Sequence, residues 1–154
     1  MKGKTVKESS VTVSYVTLPQ DANRAGNVHG GVVMKQIDNA AGLVATRHAR
    51  SNCVTASVDR MDFFYPVFIG NLLIMKASIN IVGRTSMEVG VRAEAEDPLT
   101  GEVHHTASAY LTFVALDDDG HPKEVPPLIL ETEDDKRRNL EAVRRRELRL
   151  ALKK

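Results

Sequence analysis

The chain has 154 residues and a formal net charge of +1, which suits one domain and argues against bulk nucleic acid or an anionic membrane as its main partner. Hydrophobic residues make up 42% and charged residues 27%, as in ordinary soluble globular proteins. The single cysteine, Cys53, has no second cysteine with which to form an internal disulfide or a zinc cluster. Residues 1–10 lack the apolar core of a signal peptide and residues 67–75, the longest apolar stretch, are too few to span a bilayer, so we expect a cytoplasmic protein.

The first part of the chain predicts a strand, a loop and a long helix. The charged residues 1–8 predict a loose terminus, and alternation from Val11 predicts a strand. Turn-forming residues at 19–26 predict a loop. Residues 31–49 then show helical spacing, with one side formed by Val33, Ile37, Ala40, Ala41, Val44 and His48.

The middle of the chain predicts four long strands, which we place at 54–65, 72–82, 85–96 and 103–116. Short turns join them, and the acidic turn at 117–120 lacks the ligand spacing of a calcium loop. Long strands with short turns favour an antiparallel sheet, whose apolar face needs a helix to cover it. The sequence therefore predicts an α+β domain in which a sheet wraps one central helix.

The tail from residue 131 predicts a charged C-terminal helix. Its acids come first and its bases later, as the helix dipole favours, and Thr132 with Asp135 resembles a capping box. Two interpretations remain open: a solvated surface helix, or a basic stretch that meets an anionic ligand or a neighbouring subunit. We divide the chain into a single domain at 9–130 and this helix at 131–154.

Several common chemistries are excluded by spacing. Neither phosphate-binding glycine fingerprint is present, and the G-x-S-x-G and H-E-x-x-H motifs are absent. His104 and His105 are adjacent on a predicted strand and point to opposite faces, so they cannot hold one metal there. We expect no metal site.

The stretch GNVHGGVVMKQIDNAAG, residues 26–42, is the remaining candidate site. The amides of Gly30 and Gly31 would lie at a helix N-terminus, where they can stabilise a developing oxyanion, although a simple tight turn fits equally well. Asp38 lies two turns further along, at the border of the apolar side. It can act as a general base or a nucleophile, or it can be an exposed helix aspartate.

Five segments of the chain, in the same order, resemble the hotdog-fold acyl-CoA thioesterases, with the closest similarity to the cytosolic (brain-type) acyl-CoA hydrolase group. The similarity extends from about residue 11 to 138 and rests on DANRAGNVHGG, MKQID, AGLVATRH, VTASVD and GRTSMEV, with a similar tail VPPLILETEDDKRR. It implies the hotdog fold, hydrolysis of fatty acyl-CoA to free acid and CoA, and no cofactor beyond the CoA moiety of the substrate. It also implies a homodimer with its active site between subunits, assembled as a trimer of dimers.

The resemblance also implies roles for individual residues. The helix acid corresponds to Asp38 and the loop asparagine to Asn27, which dimerisation would bring to the partner's acid. Gly30 and Gly31 would polarise the thioester carbonyl, and His29 would shape the loop or act as a base. The pantetheine would follow the strand that contains Ser57. The segment Gly83, Arg84, Thr85 and Ser86 suits CoA phosphates, or is only a turn.

Two other classes of function remain open. One is a different hotdog chemistry, such as an acyl-carrier-protein or aryl-CoA thioesterase or a dehydratase. The other is a non-catalytic module that binds or senses acyl-CoA.

Overall fold

Five long strands form an antiparallel sheet that curves around a 20-residue helix in the computed structural model, which describes residues 1–153. The elements in chain order are β1 Lys4–Thr5, α1 Val6–Ser9, β2 Val11–Val16, a short 3-10 turn Pro19–Asp21, α2 Gly30–Ala49, β3 Asn52–Phe63, β4 Leu72–Val82, β5 Ser86–Glu96, β6 Val103–Leu116, β7 Leu128–Ile129 and α3 Glu133–Leu152. Within residues 1–153, no helix has both the length and the apolar character needed to cross a membrane. The predicted α+β hotdog architecture is confirmed.

The sheet order is β2-β4-β5-β6-β3, with every neighbouring pair antiparallel. Alternation along each strand sends apolar side chains to the inner face, as in β4 and β5, where every second residue is buried. β3 ends up at one edge because it pairs with β6 on one side, and no other described strand pairs with it. This edge matters for function, because α2 leads directly into it.

Helix α2 packs against the inner face of the sheet through the side predicted from its spacing. Val33, Ile37, Ala40, Ala41, Val44 and His48 are all buried. The inner face opposite contains many small side chains, among them Ala93, Ala95, Ala107, Ala109 and Ala115. Small residues let the helix approach closely without leaving voids, which fixes the distance between α2 and the sheet.

The N-terminal residues are ordered, which corrects the prediction that residues 1–8 are loose. Thr5 and Glu8 form a capping box at the start of α1, and Val6 is buried. The Lys4 ammonium donates to the His48 carbonyl at 2.8 Å and to the Arg47 carbonyl at 3.3 Å, which satisfies the C-terminal end of α2. The charged terminus therefore serves as a cap for the central helix, a tertiary role that its composition does not reveal.

Helix α3 begins at the predicted capping box, where Thr132 accepts from the Asp135 amide and the Asp135 carboxylate accepts from the Thr132 amide. It packs across the outer face of the sheet through the fully buried Ala142. Beside it, Arg145 makes two hydrogen bonds of 2.9 Å to the buried Glu88 carboxylate and stacks over the Tyr110 ring. The pKa of the Arg145 guanidinium is raised, chiefly by hydrogen bonding to Glu88, so the guanidinium stays charged.

Candidate active site

Asp38 and Thr55 are in direct contact where α2 faces the edge strand β3. The Thr55 hydroxyl donates to Asp38 Oδ1 at 2.7 Å. Asp38 is half-buried and Thr55 is exposed, so the carboxylate lies on the border between the core and the free edge of the sheet. A single donor to one oxygen orients the carboxylate and leaves Oδ2 able to accept a proton. This is the geometry that a general base or a carboxylate nucleophile requires.

The register of β3 explains why Thr55 reaches Asp38 and Ser57 does not. Thr55 is paired with the buried Phe113, whereas Ser57 is paired with Thr112, one residue along β6. Directly opposed residues share a face, so Thr55 lies on the inner face and Ser57 on the outer face. The register shift between Thr55 and Ser57 causes this reversal. Within one chain Ser57 therefore does not face Asp38, and its role in binding the pantetheine stays a prediction.

The N-terminus of α2 is capped by His29. Its Nδ1 accepts a hydrogen bond from the Gly31 amide at 2.9 Å, and a side chain at Gly31 would lie 3.0 Å from that ring nitrogen. The Gly31 amide is thus occupied unless the imidazole moves. The Gly30 amide, in contrast, donates to no acceptor in the described chain, and the space around its α-carbon is open. Gly30 is the better placed of the two glycines to receive an oxyanion.

The loop before the helix is organised by Asn23. Its side-chain oxygen accepts from the backbone amides of Ala25 at 2.9 Å and Asn27 at 3.2 Å. The Asn23 backbone N–H donates to the Asn27 carbonyl at 2.7 Å. Asn27 forms an isolated β-bridge with Phe68. Both asparagines therefore belong to one tight loop, in which the Asn23 oxygen is used locally and its side-chain NH₂ group remains to act as a donor.

The glycines and the acid are well separated within one chain. Gly30 and Asp38 are eight residues apart on α2, which corresponds to about 12 Å along the helix axis. One thioester carbonyl must lie about 3 Å from both its oxyanion donor and its attacking group. The structure therefore does not bring the helix N-terminus and Asp38 of the same chain onto one carbonyl group.

Gly83, Arg84 and Thr85 form the turn between β4 and β5, and Ser86 is the first residue of β5. The Gly83 amide donates to the Ser86 carbonyl at 2.8 Å, while Ala115 and Val125 donate to the Thr85 and Arg84 carbonyls. Thr55 and Met87 both pair with Phe113, so the turn starts two strands from Thr55, about 10 Å away. The Arg84 side chain is 74% exposed, and its ion pair with the exposed Glu124 is long, at 3.9 Å. The Arg84 cation is therefore available to solvent.

Two residues with notable contacts near this site, Thr55 and Asn23, were not singled out from the sequence. Thr55 is one of several polar residues in VTASVD, and nothing in the letters shows that the bulge after it turns Thr55 and not Ser57 toward the helix. Asn23 stands in a turn-forming loop, where an asparagine side chain usually bonds its own backbone. The sequence contains two asparagines in this loop, Asn23 and Asn27, and its letters alone do not distinguish them.

The model of a family described as the thioesterase superfamily matches residues 25–102. Protein VdlD of Helicobacter pylori is 40% identical over 94% of this chain and 83% of its own length. The chain belongs to the thioesterase superfamily. The cytosolic acyl coenzyme A thioester hydrolase of Mus musculus is 39% identical over 87% of this chain, which spans 36% of that longer protein.

Solved thioesterases share this fold closely. An apo-hexameric acyl-CoA thioesterase has a TM-score of 0.94 and 39% identity, and covers 99% of this chain and 100% of its own. The acyl-CoA hydrolase of Staphylococcus aureus, solved with butyryl coenzyme A, coenzyme A and coenzyme A disulfide, has a TM-score of 0.89 and 38% identity over 96% of this chain and 90% of its own. Three single variants of that hydrolase are also solved, each with alanine in place of one residue. The replaced residues are an asparagine, an aspartate fifteen residues after it, and a threonine seventeen residues after the aspartate.

Proposed function

We propose that this chain hydrolyses fatty acyl-CoA to a free fatty acid and CoA, with Asp38 as the reacting carboxylate. The observation that carries the proposal is the Asp38–Thr55 contact, in a chain of the thioesterase superfamily whose structural neighbours include acyl-CoA hydrolases. The chemistry requires only water in addition to the substrate, and CoA is the leaving group, so the proposal includes no cofactor.

Asp38 can drive the reaction by either of two balanced routes. As a general base, it takes a proton from a water whose oxygen bonds to the thioester carbonyl carbon. The C–S bond then breaks, and the CoA sulfur leaves and is protonated. As a nucleophile, Asp38 itself bonds to the carbonyl carbon, releases CoA and leaves a mixed anhydride that water hydrolyses. In both routes the carbonyl oxygen becomes negative and needs a donor, a role that suits the Gly30 amide.

The spacing of the S. aureus variants supports Asn23 as the asparagine partner, in place of Asn27. In this chain Asp38 follows Asn23 by fifteen residues and precedes Thr55 by seventeen, the same separations as in those variants. Asn27 is eleven residues before Asp38 and does not match. We therefore propose that the Asn23 side-chain amide, whose NH₂ group is not used in its loop, donates to substrate or to the attacking water.

The proposed site is shared between two copies of the chain. The Gly30 amide lies too far along α2 from Asp38 to act on the same carbonyl, and β3 presents a free edge twelve residues long with exposed Val54 and Val58. A second copy against this edge would cover these apolar side chains and place its own α2 N-terminus opposite Asp38. We further propose a trimer of such dimers, supported by the hexameric neighbour that matches the whole chain.

The proposal includes a cytoplasmic location and neither a membrane nor a nucleic acid as partner. The net charge of +1 supports this, together with the cytosolic name of the mouse relative.

A thiol-release assay on a panel of straight-chain acyl-CoAs tests the activity directly. The purified protein is mixed with butyryl-, decanoyl- and palmitoyl-CoA, and free CoA thiol is measured over time alongside binding by calorimetry. Turnover of at least one substrate is expected. Saturable binding of acyl-CoA without thiol release would overturn the proposal in favour of a sensing module.

A complementation experiment tests the shared site. Asp38→Asn and Asn23→Ala chains, each inactive alone, are coexpressed and purified as mixed oligomers. In a two-fold dimer, random mixing leaves one of the two sites intact in half of the dimers, so about a quarter of the parental activity is expected. If mixing restores no activity, the asparagine and the aspartate act within one chain and the shared site is refuted.

A further inference from the structure

The edge strand β3 is irregular at the point where it reaches Asp38. Its pairing with β6 shifts register twice, between Thr55 and Ser57 and between Val58 and Arg60, which leaves Ala56 and Asp59 without partners in the ladder. Bulges bend a strand and change the direction of its side chains. Within a single copy of the chain, β3 is tied to the sheet on one side only, so its own ladder fixes this bulged segment less firmly than it would fix a central strand.

The second bulge is held from outside by helix α3. The Arg149 guanidinium donates to the Asp59 carboxylate, and the two side chains are only 24% and 16% exposed. A charge-assisted contact with limited access to water is more persistent than a surface ion pair. By comparison, the Arg60–Asp62 pair on the same strand is 73% and 40% exposed. Asp59, the residue of the second bulge that has no partner in the ladder, is therefore the one that α3 contacts through Arg149.

The other end of this contact is anchored to a rigid part of the sheet. One turn earlier on α3, Arg145 bonds the Glu88 carboxylate of the central strand β5. The Glu88 side chain is 2% exposed and also accepts from the Asn80 amide at 3.0 Å. Helix α3 thus connects the interior of the sheet to its free edge. Asp59 lies four residues along β3 from Thr55, whose hydroxyl bonds the Asp38 carboxylate.

We infer that Arg149 is a positioning residue: it holds the Asp59 bulge of β3 and through it sets the placement of Thr55 against Asp38. This inference rests on the proposed hydrolase activity and assigns the C-terminal helix a part in it. In this inference Arg149 acts through its contact with Asp59 and not by contact with the substrate. Its loss lowers the fraction of molecules in which Asp38 is aimed at the thioester and changes substrate binding little.

The test compares Arg149→Ala with the parent and with Arg144→Ala, a matched change of an exposed arginine on the same helix. Thiol release gives kcat and KM on the best substrate of the acyl-CoA panel. Deuterium uptake of the amides in residues 54–60 reports the order of β3, and light scattering reports the oligomer. For Arg149→Ala we expect kcat to fall on the order of ten- to a hundredfold with KM within about twofold. Deuterium uptake at 54–60 should rise and the oligomer should remain.

Further variants separate positioning from a general loss of structure. Arg149→Lys retains the cation and should recover part of kcat. Asp59→Asn combined with Arg149→Ala should lose no more than Arg149→Ala alone, because both changes break one contact. Arg144→Ala should match the parent.

Three results would overturn the inference: parental kcat in Arg149→Ala, an equal loss in Arg144→Ala, or loss of activity only through dissociation of the oligomer. If the parent itself releases no thiol from any acyl-CoA, the proposed hydrolase function fails. Deuterium uptake at residues 54–60 then still decides whether Arg149 orders the strand.

Discussion

Thr55 and Asp38 meet across the boundary between the central helix and the edge strand, with the Thr55 hydroxyl 2.7 Å from Asp38 Oδ1. A carboxylate at the border of a helix is common. Asp38 is distinguished by a hydrogen-bond donor on β3, an edge strand that pairs only with β6 among the described strands. The contact orients the carboxylate through one oxygen and leaves the other without a hydrogen-bond donor among the described residues.

Thr55→Val should lower kcat without unfolding the protein. Valine has nearly the same shape as threonine, but it removes the donor that orients Asp38. We expect kcat to fall about tenfold to a hundredfold, since small misplacements of a reacting group are costly. Thr55→Ser keeps the hydroxyl and should recover most of the activity. Parental kcat in Thr55→Val, measured by thiol release, would show that the contact has no catalytic role.

Asn23→Ala and Asn27→Ala should differ in their effect on turnover. If the Asn23 side-chain amide acts in the site, Asn23→Ala should lower kcat by about a hundredfold or more, a loss typical of a removed transition-state donor. Asn27→Ala should retain most of kcat. Because the Asn23 oxygen also bonds two loop amides, Asn23→Asp serves as a control that keeps those bonds and removes the NH₂ group. An inactive Asn27→Ala beside an active Asn23→Ala would restore the assignment to Asn27.

His48 should make the fold sensitive to acid. The ring is fully buried and Nε2 lies 2.7 Å from the Pro126 carbonyl, while Nδ1 has no partner in the described chain. Burial lowers the pKa of His48 below its ordinary value of 6.5. As the pH falls below about 6.5, the unfolded chain binds a proton that the folded chain does not, so stability decreases by up to about 1.4 kcal/mol per pH unit until the folded pKa is reached.

His48→Gln isolates this effect, because glutamine can donate to the same carbonyl and does not titrate. The free energy of unfolding in urea should decrease more steeply for the parent than for His48→Gln between pH 6.5 and 5, at one fixed protein concentration. Parallel pH profiles for the two proteins would contradict the assignment.

Arg145→Ala should destabilise the fold through Glu88. The Glu88 side chain is 2% exposed, so removal of its guanidinium partner leaves a buried carboxylate with only the Asn80 amide. We expect a loss of about 3 kcal/mol in the free energy of unfolding, as for other half-broken buried ion pairs. The control Arg144→Ala should change it by less than about 0.5 kcal/mol. Equal stabilities of the two variants would show that the Arg145–Glu88 pair does not hold α3.

The sequence predicted the central helix and the long strands because both depend on the periodicity of apolar residues. The 3.6-residue spacing of Val33, Ile37 and Val44 and the two-residue spacing of Leu73, Met75 and Ala77 each follow from one side of an element facing the core. Turns and the Thr132 cap follow from local chemistry in the same way. These signals are contained within one segment and require no knowledge of its neighbours.

The sequence did not reveal features that arise between segments. The Lys4 cap depends on residues more than forty positions apart, so a charged terminus appeared loose. The bulge after Thr55 puts Ser57 on the face opposite Thr55, and a bulge leaves no clear mark in VTASVD. The occupation of the Gly31 amide by His29 is equally a matter of side-chain placement. Roles assigned to Gly31 and His29 from the resemblance remain predictions.

The most direct test of the account is the rate of thiol release by purified, oligomeric Asp38→Asn protein in comparison with the parent. Asparagine keeps the size of the side chain and a hydrogen bond to Thr55, but it can neither take a proton from water nor form an anhydride. We predict that the parent turns over acyl-CoA and that Asp38→Asn loses activity by about 10²- to 10⁴-fold while it still binds acyl-CoA. Turnover by Asp38→Asn at the parental rate would contradict the central claim that Asp38 is the reacting carboxylate.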